Sequence, residues 1–336
     1  MEKEKLIQVI DNVVRRTMKM DFSWDWSAGV AFYGILRAYE VTGNDEYIEF
    51  LKSWVDEYIE LGIPKMTVNA LSIGYTILAL YQKFGDEKYL EIFTSQIKHL
   101  KEEAERFGDG VLQHTVSQNY NFPEQAWADT LFMAGLLMVK GGCALGDDEL
   151  VKDGLNQFHW HIEYLQNKEN NLFYHAWNNI EKNNMSSIHW ARANGWCAIT
   201  MSEVLKLIDA FNPSFVEIKD CLRDQLAALV RMQSENGLWH TILDDDSSYE
   251  ETSASCGIGC ALVNYIELEQ LVMYKKYVEK VINGVCSKIT ADGTVHDVSG
   301  GTAVMYDADG YKKIPKKRIQ GWGQGLALAF LCECIK

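Results

Sequence analysis

Three short stretches of this chain repeat one construction: Thr42-Gly43-Asn44-Asp45-Glu46-Tyr47, Phe84-Gly85-Asp86-Glu87-Lys88-Tyr89 and Leu145-Gly146-Asp147-Asp148-Glu149-Leu150. In each, glycine ends an apolar-periodic segment, because it enters the left-handed conformation at little cost, and an Asn or Asp followed by acids opens the next. A joint this tight folds one helix back on its neighbour. The chain is therefore predicted to be built from helix hairpins, and its fold must pack several of them.

Longer joints ending on histidine separate the later pairs: Gly110-Val111-Leu112-Gln113-His114, Asn171-Leu172-Phe173-Tyr174-His175, Gly237-Leu238-Trp239-His240 and Gly293-Thr294-Val295-His296. They recur about every 55 to 65 residues, the length of two helices and a loop, which marks a repeated supersecondary unit. The four histidines are expected round one rim. Helical periodicity predicts twelve segments, near 3–20, 28–42, 45–61, 67–84, 86–106, 124–141, 147–166, 190–209, 213–233, 252–269, 271–289 and 322–335. Segments after the long loops are rich in small residues, as in Ser253 to Ala261 and Gly321 to Ala327, whereas Glu46 to Ile59 and Glu87 to Lys101 alternate charged and apolar faces. Small residues suit a crowded inner ring and amphipathic helices an outer one. Six such pairs make an all-α (α/α)6 barrel, a six-hairpin toroid of about twelve helices. With only 4 prolines and no Pro/Ser-rich linker, residues 1–336 are expected to form a single domain. Gly321-x-Gly323-x-Gly325 has no strand before it and reads as close helix packing, not a nucleotide loop.

A formal net charge of −15 argues against nucleic acid or an anionic membrane as partner. The one basic run, Lys312-Lys313-Ile314-Pro315-Lys316-Lys317-Arg318, reads as a solvated loop. No apolar stretch looks long enough for a signal peptide or a membrane span, and the eight cysteines never form Cys-x-x-Cys, the usage of reduced thiols in a cytoplasm. The histidines lack metal-ligand spacing, so neither metal nor cofactor is expected. Glu250-Glu251-Thr252-Ser253 reads as a helix start rather than a catalytic pair, and Ser253, Ser255 and Cys256 as caps or small core residues.

Two runs could carry chemistry. In Pro123-Glu124-Gln125-Ala126-Trp127-Ala128-Asp129-Thr130-Leu131-Phe132-Met133, Pro123 fits the first helical position, which would put Asp129 in the second turn, on one face with Gln125 and Met133. Desolvation beside aromatics is expected to raise the Asp129 pKa and make it a proton donor near neutral pH; alternatively it completes a helix start. In His189-Trp190-Ala191-Arg192-Ala193-Asn194-Gly195-Trp196, Arg192 suits bidentate binding of a sugar carboxylate and tryptophan faces suit stacking. Trp190 with Asn194 and Arg192 with Trp196 would point apart on one helix, so either the first residues are loop or only one pair lines a pocket. A buried Arg–acid pair among core tryptophans is the other possibility. His114 and His175 precede the loops leading to Asp129 and Arg192 and are the better ligand candidates, with His240 and His296 left to a polar rim.

Trp127-Ala128-Asp129-Thr130-Leu131-Phe132-Met133, Tyr174-His175-Ala176-Trp177, Trp190-Ala191-Arg192-Ala193-Asn194-Gly195-Trp196 and Tyr249-Glu250-Glu251-Thr252-Ser253-Ala254-Ser255 resemble, in order, the signatures of the unsaturated rhamnogalacturonyl hydrolases, glycoside hydrolase family 105, which are related to unsaturated glucuronyl hydrolases. The similarity runs from Trp24-Asp25-Trp26 to Gly321-Trp322-Gly323-Gln324-Gly325. It implies a cytoplasmic, metal-free (α/α)6 enzyme of polysaccharide degradation, a monomer or weak homo-oligomer, whose substrate is a short oligosaccharide ending in a 4,5-unsaturated uronic acid. The implied reaction hydrates the double bond, with Asp129 as acid and then base. The resemblance also implies that Trp127, His175, Trp190, Arg192 and Trp196, together with His114, surround the sugar. Where many members place a second aspartate, this chain has Asn69, which can bind a hydroxyl but carries no charge. A sugar epimerase or an inverting glycosidase could use the same toroid, although no second carboxylate stands out for the latter, and a sugar-binding protein that has lost activity is the non-enzymatic alternative.

Overall fold

The computed structural model describes residues 2–117 and 122–336. Among the described residues twelve long helices form: α1 Lys3–Thr17, α2 Trp26–Thr42, α3 Asp45–Leu61, α4 Gly74–Phe84, α5 Glu87–Glu102, α6 Ala128–Leu145, α7 Asp148–Leu165, α8 Ala191–Val204, α9 Pro213–Leu229, α10 Thr252–Glu269, α11 Lys275–Ser287 and, last in the chain, α13 Gly321–Glu333. A short helix that the periodicity did not predict, α12 Ala308–Lys312, interrupts the final long loop. The predicted joints have their expected geometry. Gly43, Gly85 and Gly146 are left-handed, and Asn44, Asp86 and Asp147 accept the backbone N–H groups of Glu46, Lys88 and Leu150.

The even-numbered helices through α10, closed by α13, make the inner ring: α13 packs on α2, α2 on α4, α4 on α6, α6 on α8, α8 on α10 and α10 on α13. The remaining long helices wrap them, and the whole is an (α/α)6 barrel. Small residues set the inner spacing. A Cβ added to Gly34 of α2 would lie 2.4 Å from the Gly325 carbonyl oxygen of α13, and one on Gly257 would lie 3.1 Å from that of Gly195, so both contacts are glycine on glycine. Arg37, Glu203 and Glu333 gather where α2, α8 and α13 end. The opposite end, where the inner helices begin, carries the long loops and two small ribbons, β1 Arg106–Phe107 with β2 Val111–Leu112 and β3 Gln125–Trp127 with β4 Ala176–Asn178.

Three expectations need correction. Gln125, Ala126 and Trp127 are strand, paired to Asn178, Trp177 and Ala176, so α6 begins at Ala128 and Asp129 sits in its first turn, with no helical face shared with Gln125. Glu124 is left-handed at φ 50°, and the turn it makes after Pro123 lets the tertiary pairing override a helix-like pattern. Second, α6 is long and apolar enough to cross a membrane by length and composition, yet it is a core helix whose apolar surface the other helices cover. Third, much of the basic run is paired: Lys312 with Asp245, Lys313 with Asp309 at 3.2 Å and Lys316 with Asp297 at 3.3 Å.

The sixth helix departs from α geometry over Leu131–Gly135, one π-helical turn in which the Leu136 N–H reaches the Leu131 carbonyl. Such a bulge shifts the backbone bonding by one residue and recurs at functional sites. Here the Tyr75 hydroxyl of α4 donates to the Phe132 carbonyl at 2.7 Å, so the altered turn is tied to the neighbouring inner helix.

Candidate active site

A cavity of about 360 Å³ opens among the starts of the inner helices. Asp25 and Trp26 border it from α2, Asn69 from the turn before α4, Asp129 and Met133 from α6, Arg192 from α8, and Gly301 to Ala303 from the loop before α13. His114 and Trp127 complete the wall beside Asp129. The positive ends of several helix dipoles therefore converge on one hollow, which favours an anion there despite the acidic surface.

Asp129 leaves 15% of its side chain exposed. Its Oδ2 lies 3.4 Å from His175 Nε2, a long contact between the two groups. His175 is buried, and its Nδ1 meets the Tyr311 hydroxyl of α12 at 2.9 Å. A Tyr311 O–H donated to Nδ1 leaves the ring proton on Nε2, the nitrogen that faces Asp129. Burial pushes the Asp129 pKa up, as expected, but His175, with His114 and Arg192 behind it, outweighs burial and holds the carboxyl below its ordinary value. The expected upward shift is thus reversed in the unliganded protein: Asp129 is a carboxylate.

His114 stacks on Trp127, ring centres 4.5 Å apart and 8° from parallel, and its Nδ1 bonds Thr130 Oγ1 at 3.0 Å. Burial lowers its pKa to about 4, so near neutral pH it is an uncharged flat surface. Asn69 lines the cavity and is buried, with its Oδ1 unpartnered.

Arg192 is 2% exposed and forms the buried Arg–acid pair that the sequence offered as one possibility, while also bordering the cavity. Its Nη1 donates to Glu251 at 3.2 Å and to both Ser299 oxygens, while Nη2 donates to the Gly300 carbonyl at 2.8 Å and to Thr302 Oγ1 at 3.1 Å. The Nη2 edge is the one beside the cavity-lining Thr302. Glu251 caps α10 through the Ala254 N–H, the helix-start role read from sequence.

The structure brings Asn69, His114, Trp127, Asp129 and Arg192 to the cavity wall and leaves His175, Trp190 and Trp196 behind it. Trp190 precedes the first turn of α8 in extended conformation, so the loop alternative holds for it, and its ring supports the Arg192 guanidinium at 4.4 Å. Trp196 is a full turn deeper and packs on Phe132, ring centres 4.9 Å apart, so a direct sugar contact by it is ruled out by burial. His240 bonds the Ser248 carbonyl and His296 faces Thr290, neither of them on the cavity. Sequence reasoning missed Asp25, Trp26, Gly301 to Ala303 and Tyr311. Trp24-Asp25-Trp26, an acid between aromatics, carried a signal like that of the Asp129 run; Tyr311, 136 residues from its partner His175, carried none. Among the described residues no group of three or more His, Cys, Asp or Glu side chains is arranged to hold a metal.

Comparison with known proteins adds to this geometry. A family model described as Glycosyl Hydrolase Family 88 matches residues 1–336. The chain is 53% identical to the unsaturated rhamnogalacturonyl hydrolase YesR of Bacillus subtilis (strain 168) over 336 residues, 100% of this chain and 96% of that protein. It is similar to a solved structure described as a possible member of family GH105 from Salmonella enterica, with a TM-score of 0.95, 27% identity, and coverage of 100% of this chain and 94% of that one. An unsaturated glucuronyl hydrolase from Bacillus sp. GL1, 16% identical with a TM-score of 0.71 over 98% of this chain and 96% of that one, shares the fold.

Proposed function

The chain belongs to Glycosyl Hydrolase Family 88 and is a glycosidase, and from that premise we propose that it removes a 4,5-unsaturated uronic acid from the non-reducing end of short oligosaccharides. The observation that carries this is the Asp129 carboxylate sharing one cavity with the Nη2 edge of Arg192.

In this scheme Asp129 donates a proton to C4, and the electrons of the C4–C5 double bond form the new C–H bond, leaving positive charge shared by C5 and the ring oxygen. Water adds to C5 and gives its proton to the Asp129 carboxylate. The resulting hemiketal opens to a ketone at C5, the ring oxygen stays on C1, and the C1 hemiacetal expels the remaining sugar as an alcohol. One carboxyl serves as acid and then base, so the second acid of ordinary glycosidases is not needed and Asn69 in its place is no obstacle. The acid form of Asp129 arises in the complex, because a bound uronate adds like charge and excludes water, both of which raise a carboxyl pKa.

Arg192 Nη2 exchanges Thr302 for the uronate carboxylate, Asn69 on the cavity wall hydrogen-bonds a sugar hydroxyl, and the stacked His114–Trp127 pair provides a flat wall for the ring. His175, held by Tyr311, keeps Asp129 oriented. No metal or cofactor enters the scheme. The net charge of −15 disfavours long polyanions, which supports short substrates, and eight free cysteines suit the reducing cytoplasm.

Asp25, on the same wall, favours a second reading as an ordinary inverting glycosidase, but its carboxylate already accepts the Trp26 N–H at 2.8 Å and the Ser117 hydroxyl. Turnover in D2O separates the two. Hydration places deuterium at C4 in one stereochemical sense, as fast as product forms. Hydrolysis at C1 would first release a sugar with its double bond intact, and later non-enzymatic protonation would scramble the C4 label.

A further inference from the structure

Round the inner ring the helices follow the order α13, α2, α4, α6, α8, α10, so α2 stands opposite α8 across the cavity. Arg192 borders the hollow from α8, Asp129 from α6, Asn69 from the turn before α4, and Asp25 from the start of α2. Among the described lining residues Asp25 and Asp129 are the two carboxylates and Arg192 is the one cation. The Asp25 carboxylate accepts the Trp26 N–H at 2.8 Å as the cap of α2, and the Ser117 hydroxyl donates to its other oxygen. A carboxylate offers about four lone-pair sites, so Asp25 keeps acceptor capacity at the cavity wall.

Resting on the function proposed above, we infer that Asp25 is a specificity-determining residue: it accepts the C2 hydroxyl of the unsaturated uronate and excludes rings that carry an anionic group at that carbon. The order of the helices gives the register. The carboxylate on C5 goes to Arg192 on α8, and C4, which takes the proton, goes to Asp129 on α6. Continuing in the same direction round the six-membered ring, C3 falls beside Asn69 at α4 and C2 beside Asp25 at α2. The opposite sense is closed, because it would turn C4 toward α10 and away from Asp129. A free hydroxyl at C2 gives its proton to Asp25, a hydrogen bond strengthened by the charge of the acceptor. A sulfate there has no proton to give and sets a second negative charge against the carboxylate, on the side of the cavity away from Arg192, so selection works by repulsion as well as attraction.

The test compares kcat/KM, read as loss of the double-bond absorbance, on an unsaturated uronyl disaccharide with a free C2 hydroxyl and on its 2-O-sulfated counterpart. Wild type is compared with Asp25→Asn, which has the same shape without the charge and is as good a helix cap, so α2 keeps its start. Wild type is expected to prefer the free hydroxyl by about 100-fold, the scale of a lost charged hydrogen bond. In Asp25→Asn the preference narrows to about tenfold, the scale of a neutral hydrogen bond: the free-hydroxyl substrate shows a higher KM with kcat kept, while the sulfated one is turned over as well as before or better. Asp25→Ser, another good cap, gives the same narrowing. Equal turnover of both substrates by wild type, or a preference that both variants retain in full, would overturn the inference while leaving the reaction standing; a merely structural role for Asp25 would lower both substrates alike and leave their ratio unchanged. Absorbance loss on neither substrate would overturn both the inference and the reaction.

Discussion

At the closed end of the barrel, Arg37 of α2 pairs with Glu40 at 2.8 Å and with Glu333 of α13, Lys206 bridges Glu203 and Glu333 at 3.3 Å each, and Lys336 holds Glu333 at 2.7 Å. Eleven residues earlier on α8 than Glu203, about 16 Å back along the axis, Arg192 borders the cavity with Asp129. There the pairing is sparse: Asp129 Oδ2 has only His175 Nε2 at 3.4 Å, and Asn69 Oδ1 makes no hydrogen bond. The inner helices thus bury charge twice, once in a network of several ion pairs and once with Asp129 held by a single contact of 3.4 Å to His175. A densely paired network resists removal of any member, whereas a sparsely paired carboxylate at a cavity is available to a ligand.

The largest stability difference between the two ends should come from Glu333→Gln, which removes the buried carboxylate shared by Arg37, Lys206 and Lys336 and is expected to cost about 3–5 kcal/mol, the usual penalty for breaking a buried pair. Denaturant unfolding should show that loss while activity per folded molecule stays near wild type; Asp129→Asn, in contrast, should lie within about 1 kcal/mol of wild type. A Glu333→Gln protein of normal stability would break the contrast. Arg192→Lys probes the residue that belongs to both patterns. Losing a charged hydrogen bond of roughly 1.5–3 kcal/mol predicts kcat/KM down about 10- to 100-fold, accompanied by lower stability because Glu251 loses its partner. If only one of the two falls, Arg192 is not shared.

Tyr75→Phe sharpens the comparison within the open end. It frees the Phe132 carbonyl in the π turn below Asp129, at about 1–3 kcal/mol for an unsatisfied buried acceptor. Expected are a lower kcat with KM unchanged, since the shift moves Asp129 and not the binding groups; a changed KM with normal kcat would contradict the positioning role.

The smallest effect is a displacement of pH limbs. The alkaline limb of kcat/KM reports Asp129 in the free enzyme, where its pKa is lowered, and that of kcat reports the complex, where the uronate raises it. The kcat limb should therefore lie at higher pH. Coincident limbs would mean that substrate charge does not reach Asp129.

The fold was legible because its signals are local and repeated. A glycine at each stop, an Asn or Asp at each cap and small residues in alternate helices need no knowledge of distant contacts, and Gly43, Gly85, Gly146 and the Gly34–Gly325 contact behave as those signals require. The candidate site was legible as far as residue type reaches. Asp129, Arg192, His114, Trp127 and Asn69 meet at one cavity, but the sign of the Asp129 pKa depends on His175, and the strand at Gln125–Trp127 on Ala176–Asn178, nearly fifty residues away. Tyr311 lies further still and sits in a helix of five residues, too short for any periodicity to register. Trp196 misled because spacing on a helix tells which residues share a face, not which end of the barrel that face meets.

The central claim, that Asp129 hydrates the double bond of an unsaturated uronate, is tested most directly by following the absorbance of that bond on unsaturated rhamnogalacturonyl and glucuronyl disaccharides with wild type and with Asp129→Asn. The account predicts steady loss with wild type and a rate lower by about 10²–10⁴ in the variant, the scale of lost general acid–base catalysis, with the variant still folded. Equal rates in the two proteins would show that the acid is another residue, and no loss with wild type on either sugar would contradict the reaction itself.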